Sequence, residues 1–447
     1  MAGIAGIELP GKQDTVEEML RKISHRGNAG CEIKETESAT IGVVWTETQE
    51  DSLYRIRQKN EAYDGDGAGH SALVKVKDDG IVLRRDPLGV VPLYYGEDNN
   101  GALCFGSEVK ALVGICSDVK IVPPGCKFDG KEMEPYFKLK KKKSLDGQPD
   151  VIAQGLKRRL VNSIISRVDF ESEMGTWLSG GLDSSTLAAL ARPTMNRLFT
   201  FAAGLKGSPD LEYAREVADF IDSEHHEVVV EFSDLLRILP EVIYHLESFD
   251  ALLVRSALVN YMVAKEASEY VNQVTSGEGG DELFAGYHYL KELPPEALPD
   301  ELVDITKRLH NTALQRVDRS AAAFGTVAHV CFLDSKVVEY VLRIPSEYKL
   351  RNNVEKWILR KALKGELPQE VLNRKKEKFW KGAGVEELML EYADQRITDD
   401  DFQRERILKN GWRLNSKEEL LYYRFFGEQF GDLGDFSWMG RTKKVSV

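Results

Sequence analysis

The residues Ser179-Gly180-Gly181-Leu182-Asp183-Ser184-Ser185 concentrate more chemistry than any other stretch of the sequence. They follow the apolar run Gly175-Thr176-Trp177-Leu178 and precede Thr186-Leu187-Ala188-Ala189-Leu190, which reads as strand, tight loop and helix. Adjacent glycines let backbone N–H groups turn toward one point, the helix N-terminus adds partial positive charge, and the serine hydroxyls donate. Asp183 supplies a carboxylate for a magnesium ion. The set predicts a phosphate cradle for a nucleotide, and it lacks the lysine and spacing of a Walker loop. A second glycine loop, Ser276-Gly277-Glu278-Gly279-Gly280-Asp281-Glu282-Leu283-Phe284, follows Val271-Asn272-Gln273-Val274-Thr275, which reads as another strand. Two such loops at strand ends can meet over one ligand. The first then takes the pyrophosphate, the backbone of Ser276 and Gly277 lies along the nucleotide, and Asp281 joins Asp183 on the metal.

Loops of this kind need a sheet to hold them. Strands expected at 175–178, Leu198-Phe199-Thr200-Phe201-Ala202-Ala203 and Val228-Val229-Val230 alternate with helical stretches, so an α/β fold with a doubly wound parallel sheet is predicted, its ligand at the carboxyl ends. Ile152, Leu156, Leu160 and Ile164 recur at helical spacing ahead of it, and beyond about Leu283 the pattern is mostly helical, as at Val337–Leu342 and Leu359–Leu363. Upstream, from Ile41 to about Phe128, short apolar runs broken by Gly, Asp and Asn predict a β-rich domain. Between the two lie Glu134-Pro135 and the run Lys138-Leu139-Lys140-Lys141-Lys142-Lys143, which reads as a solvated linker because no aromatics interleave the lysines. The expected organisation is 1–133, a linker at 134–150, and 151–447.

A chain of 447 residues is too long for one ordinary core, and its net charge of −12 argues against a general nucleic-acid or anionic-membrane surface. Five cysteines (Cys31, Cys104, Cys116, Cys126, Cys331) show no paired metal spacing and their odd number suits reduced thiols. No run is long and apolar enough for a bilayer span, and Met1 to Ile7 lacks the basic start of a secretory signal. A cytoplasmic protein is expected.

The first loop is similar to the pyrophosphate loop of ATP pyrophosphatases. With it come Phe201 to Leu205, Gly207 to Leu211, His225-His226-Glu227, Tyr244 to Asp250, Arg255-Ser256, the second glycine loop, Arg374-Lys375-Lys376-Glu377-Lys378-Phe379 and Ser416 to Glu419. Over residues 151–430 the chain resembles the asparagine synthetase B family. The resemblance implies a HUP-like ATP pyrophosphatase sheet that uses ATP and Mg2+ to make an amide from a carboxylate and ammonia through an acyl-adenylate. It implies that Leu178, Ala203, Ser276 and Gly277 hold ATP beside the Ser179–Ser185 cradle, and that Lys376 meets the phosphates, where a fixed cation stabilises developing charge. It places Arg255 and Glu247 on the substrate side. A guanidinium matches a carboxylate in bidentate fashion, and a structural salt bridge is the rival reading of Arg255. Glu278 stands where family members that make asparagine carry glutamate, suited to accept a proton from ammonia, and where β-lactam-forming relatives carry tyrosine.

The N-terminal part resembles the family's glutaminase, implying a shortened Ntn-hydrolase-like αββα domain. The carriers are His25-Arg26-Gly27, Arg85-Asp86-Pro87-Leu88-Gly89, Pro92 to Gly96, Phe105 to Leu112 and Pro124-Gly125. Such a glutaminase needs a cysteine directly after the initiator methionine. That position is Ala2, and the family's Asn-Gly-Glu block is missing between Gly27 and Arg85. Val327, His329 and Cys331 also stand where the family has glutamate, arginine and proline, and His329 is read as a packing residue rather than a base. The combined expectation is an asparagine synthetase-type ligase that forms β-aspartyl-AMP, releases pyrophosphate and admits ammonia, without glutamine hydrolysis. Its partners would be the small-molecule substrates and a separate glutaminase or a second copy of the chain. The alternatives are an adenylate ligase with another amine acceptor, as in β-lactam synthetases and lasso-peptide cyclases, and a nucleotide-binding regulatory pseudoenzyme.

Overall fold

The computed structural model describes residues 1–78, 80–168, 173–375 and 385–443. The short apolar runs of the N-terminal half form β1 (Gly3–Ile7), β2 (Gly30–Glu35), β3 (Thr40–Trp45), β4 (Glu61–Gly65), β5 (Ser71–Lys77), β6 (Gly80–Arg85), β7 (Tyr94–Asp98), β8 (Leu103–Gly106), β9 (Cys116–Ile121), β10 (Cys126–Phe128) and β11 (Met133–Pro135). They make two antiparallel sheets, six strands in the order β2-β3-β1-β8-β7-β9 and five in the order β11-β10-β6-β5-β4. Alternation along β3 explains the layering. Ile41 and Val43 turn toward Val74, Ile81 and Leu83 of the second sheet, while Val44 belongs to the core shared with α1 (Gln13–Lys22). Gly42 lies under that helix, where an added Cβ would come within 2.5 Å of Leu20. A second helix, α2 (Glu50–Lys59), packs beside β3 and β4.

The C-terminal half is built on a parallel sheet of β12 (Met174–Trp177), β13 (Leu198–Leu205), β14 (Glu224–Val230), β15 (Gln273–Thr275) and β16 (Val327–His329), in the order β14-β13-β12-β15-β16. The chain runs outward from β12 to one edge and then returns to β15 on the other side, so the topological switch point falls between β12 and β15. Thr176 and Thr275 face each other there with their hydroxyls 2.8 Å apart. The connecting helices are α3 (Pro149–Ile165), α4 (Leu182–Ala191), α5 (Pro209–Ile221), α6 (Phe232–Leu246), α7 (Ala251–Ser268), α8 (Gly280–Phe284), α9 (Leu298–Lys307) and α10 (Ala313–Ala322). Two elements exceed the expectation. Strand β14 begins at Glu224, because the polar His225-His226-Glu227 segment lies along an edge and needs no apolar run. Strand β16 is three residues long, too short for any periodicity to announce.

One apolar cluster runs without a break from α1 through the parallel sheet to the helix Lys417–Phe430. Between β11 and α3 the lysines at 140–143 are exposed in irregular backbone, while Leu139 is buried and Leu145 N–H donates to the Arg343 carbonyl at 2.7 Å. No helix among the described residues is long and apolar enough to cross a membrane.

Candidate active site

At the end of β12 the chain turns through Gly180, whose φ of +63° is left-handed. An added Cβ there would stand 2.4 Å from the Cβ of Tyr213, so α5 approaches the loop only because this residue has no side chain. The Ser184 hydroxyl accepts from Ser179 N–H at 3.2 Å and donates to the Gly181 carbonyl at 3.2 Å, holding the loop against the first turn of α4. Ser185 is fully buried one residue on. Leu178 N–H donates to the Phe201 carbonyl at 2.7 Å, and Ala203 sits nearby in the carboxyl-terminal part of β13. Arg374 clasps the loop from outside: its guanidinium donates to the Ser179 carbonyl at 3.1 Å, pairs with Asp210 and lies over the Tyr213 ring at 4.2 Å.

The second loop leaves β15 beside the first. Ser276 N–H donates to the His329 carbonyl at 2.9 Å, which fixes the loop to β16. Gly277 and Gly280 then press against α4, where added Cβ atoms would meet Ser184 N at 2.9 Å and Asp183 Cγ at 2.4 Å. The close approach brings Asp183 and Asp281 to one point, and the Lys356 ammonium stands between them at 2.5 Å from each carboxylate. Two converging carboxylates of this kind are the donor set of a hard divalent cation, and the lysine holds their place with its own charge. No group of three His, Cys, Asp or Glu side chains among the described residues could hold a metal by itself.

Glu278 projects from the same loop and pairs with Arg316 of α10. Next to it Glu282 is buried against the Tyr287 hydroxyl, and burial, reinforced by the charges of Asp281 and Glu278, pushes its carboxyl up to about 8.

The structure places Arg255 and Glu247, both expected on the substrate side, against protein partners. Arg255 is tied to Glu418 through Nε at 2.7 Å and a second guanidinium nitrogen, and to Glu386 at 2.8 Å. These contacts are the geometry of the salt-bridge reading of Arg255. Glu247 has no exposed surface: its carboxylate accepts from Val109 N–H at 3.0 Å, Lys110 N–H at 2.7 Å and Arg319 at 3.0 Å, and lies in the junction of the two halves. Lys376 lies outside the described residues. Sequence reasoning missed Lys356 and Arg316. Neither sits in a glycine loop, and each reaches the site only through the fold.

The junction is a second charged centre. Ala2 is fully buried, its carbonyl accepting from Arg26 Nε at 2.8 Å. Arg26 also pairs with Glu108 at 2.8 Å, with both oxygens of Asp318 at 2.9 Å and with Asp64 at 3.3 Å. Burial pushes the Asp64 carboxyl up to about 6 and lowers the Met1 amine to about 6. That amine donates to the Thr326 carbonyl at 3.2 Å, and Val327 packs into the same apolar cluster as Met1 and Ala2. His329 bonds Gln273 at 2.8 Å, and burial lowers its ring to about 4, so it is a neutral packing residue. Cys331 is fully buried, with its thiol pushed up to about 12 by burial. A second clamp joins Asp66 to Arg167 at 2.9 Å and Arg167 to Asp334 at 3.0 Å.

A parallel sheet with a pyrophosphatase-type loop at its switch point, joined to an amidotransferase-like antiparallel half, defines an ATP pyrophosphatase-type synthetase architecture. Comparison with known families agrees: the "Asparagine synthase" family matches residues 155–304 and 294–435, and the "Glutamine amidotransferase domain" family matches residues 66–143. The chain is 36% identical over 391 residues to a probable asparagine synthetase [glutamine-hydrolyzing] of Schizosaccharomyces pombe, covering 79% of this chain and 70% of that one. It is 33% identical over 404 residues to asparagine synthetase B [glutamine-hydrolyzing] of Escherichia coli, covering 85% and 73%. With asparagine synthetase [glutamine-hydrolyzing] 2 of Lotus japonicus it shares 33% over 395 residues, 82% of this chain and 66% of that one. The chain belongs to the asparagine synthase family, and it spans about two thirds of the length of such relatives.

Proposed function

We propose that the protein is an ATP- and Mg2+-dependent amide-forming ligase whose acceptor is a carboxylate, most simply the β-carboxylate of aspartate. The observation that carries this reading is the convergence of Asp183 and Asp281 where the two glycine loops meet. ATP lies along Leu178, Ala203, Ser276 and Gly277, with its phosphates over the Ser179–Ser185 loop and Lys376 as a further cation. Asp183 and Asp281 would hold the magnesium, which would supply charge neutralisation on the phosphates. The acceptor carboxylate oxygen attacks the α-phosphorus and pyrophosphate leaves. Ammonia then attacks the acyl carbon, AMP leaves, and Glu278 takes the proton that nitrogen sheds.

The nitrogen enters as free ammonia or from a separate glutaminase. Ala2 offers no thiol, and Arg26 is spent on Asp318, Glu108 and Asp64 rather than open to a ligand. Five free thiols suit a reducing cytoplasm. Val327, His329 and Cys331, all buried, favour as second reading an acceptor amine other than ammonia. The test is ATP turnover to AMP and pyrophosphate with Mg2+ and aspartate, comparing ammonium with glutamine. Asparagine from ammonium alone is the expected result. AMP without asparagine moves the reading to another acceptor, and no turnover with any acceptor defeats it.

A further inference from the structure

The guanidinium that meets Glu278 belongs to a helix with an unusual pair of attachments. On α10, Gln315 donates to the Leu246 carbonyl at 2.7 Å, Asp318 takes both guanidinium nitrogens of Arg26 at 2.9 Å, and Arg319 reaches Glu247 at 3.0 Å and the Ser107 carbonyl at 3.3 Å. Arg26 and Ser107 are N-terminal-half residues, so that half grips the helix from below. From the same helix Arg316 extends to the loop after β15 and pairs with Glu278. Glu278 shares this loop with Asp281 and Glu282. Arg316 gives Glu278 an opposite charge in a loop otherwise rich in carboxyl groups.

We propose that Arg316 is a positioning residue for Glu278, and that the N-terminal half, which has alanine where a nucleophile would stand, serves as the rigid mount of α10 and so of this pair. The inference rests on the amide-ligase reading above. In the amide-forming step the nitrogen lone pair makes the C–N bond. The acyl C–O bond to AMP breaks with its electrons on the departing phosphate oxygen, and the proton lost by nitrogen passes to the Glu278 carboxylate. Arg316 touches none of these atoms. It sets where the accepting oxygen stands, and its planar, always-charged guanidinium is more fixed in direction than a lysine ammonium.

The two half-reactions separate a positioning role from a structural one. Adenylation is read by ATP–pyrophosphate exchange with aspartate, and amide formation by asparagine made per AMP released, with ammonium as donor. In Arg316→Met, exchange should stay within about threefold of wild type. Amide per AMP should fall at least about tenfold as the adenylate is lost to water, in line with the loss of a placed general base. Arg316→Lys should recover part of the yield, and it replaces Arg316→Met in the comparison if the latter does not fold. Equal losses in both half-reactions, or unchanged asparagine per AMP, overturn the inference. Wild-type protein without exchange for any acceptor overturns the ligase reading, and the inference with it.

Discussion

The glycine loops and the junction between the halves both bury carboxylates, and they treat them in opposite ways. At the loops, two carboxylates converge on a single lysine, the surrounding residues are glycines, and the charges are arranged for exchange with a ligand. At the junction, Asp64, Glu108, Glu247 and Asp318 meet Arg26, Lys110 and Arg319 in a closed lattice with side chains no more than 3% exposed. Desolvation makes an unmatched charge expensive and a matched one hard to remove, so the first arrangement is suited to binding and the second to holding. The junction gathers Arg26, Asp64 and Glu108 of the N-terminal half with Asp318 and Arg319 of α10.

The sharpest way to break this comparison is to change one charge on each side. Asp183→Asn should lower pyrophosphate exchange by about 100-fold or more, the scale of losing one preorganised charge at a reacting phosphate, with the circular dichroism spectrum and melting curve unchanged. Exchange within a few-fold of wild type would deny the loops their role. Arg26→Met leaves Asp318 and Asp64 buried without their main cation, and should cost about 3–5 kcal/mol of stability in urea unfolding, the usual range for one broken buried pair. A smaller loss would mean that water enters the junction.

A pH series sharpens the contrast further. His329 has its ring lowered to about 4 from an ordinary 6.5, so the folded protein resists protonating it. For a base with a depressed pKa the contribution to stability is whole above 6.5 and is lost as pH falls toward 4. His329→Asn should remove that loss, leaving wild type and variant closest in slope above pH 7 and diverging by up to about 3 kcal/mol on acidification, at about 1.4 kcal/mol per pH unit. Parallel stability curves across this range would show that the ring is not dry. The smallest expected effect is from Ala2→Cys. With Arg26 closed around acids and Met1 and Ala2 packed against Val327, glutamine hydrolysis should stay at background in an ammonia-release assay. Measurable release would reopen the junction as a catalytic centre.

Much of the candidate site was legible because it is local. Gly180, Gly181, Asp183, Ser276, Gly277 and Asp281 lie in two short segments, each after a strand, and strand-end loops of adjacent parallel strands must meet. The half-exposed beginning of β14 at Glu224 to Glu227 was not legible, since an edge strand shows no apolar alternation. The sequence left Arg255 open between a substrate clamp and a salt bridge, because its partner Glu418 is 163 residues away. The partners of Glu247 were not legible for the same reason, Val109 and Lys110 lying in the other half.

The sequence by itself determined what depends on neighbours along the chain: the two phosphate-type loops, the α/β order, the alanine at position 2 and the family. Tertiary structure decided which charges meet. Lys356 reaches Asp183 across 173 residues, Arg316 reaches Glu278 across 38, and Arg26 reaches Asp318 across 292. Ion pairing is set by distance in space and by the exclusion of water, and neither quantity is encoded in local spacing.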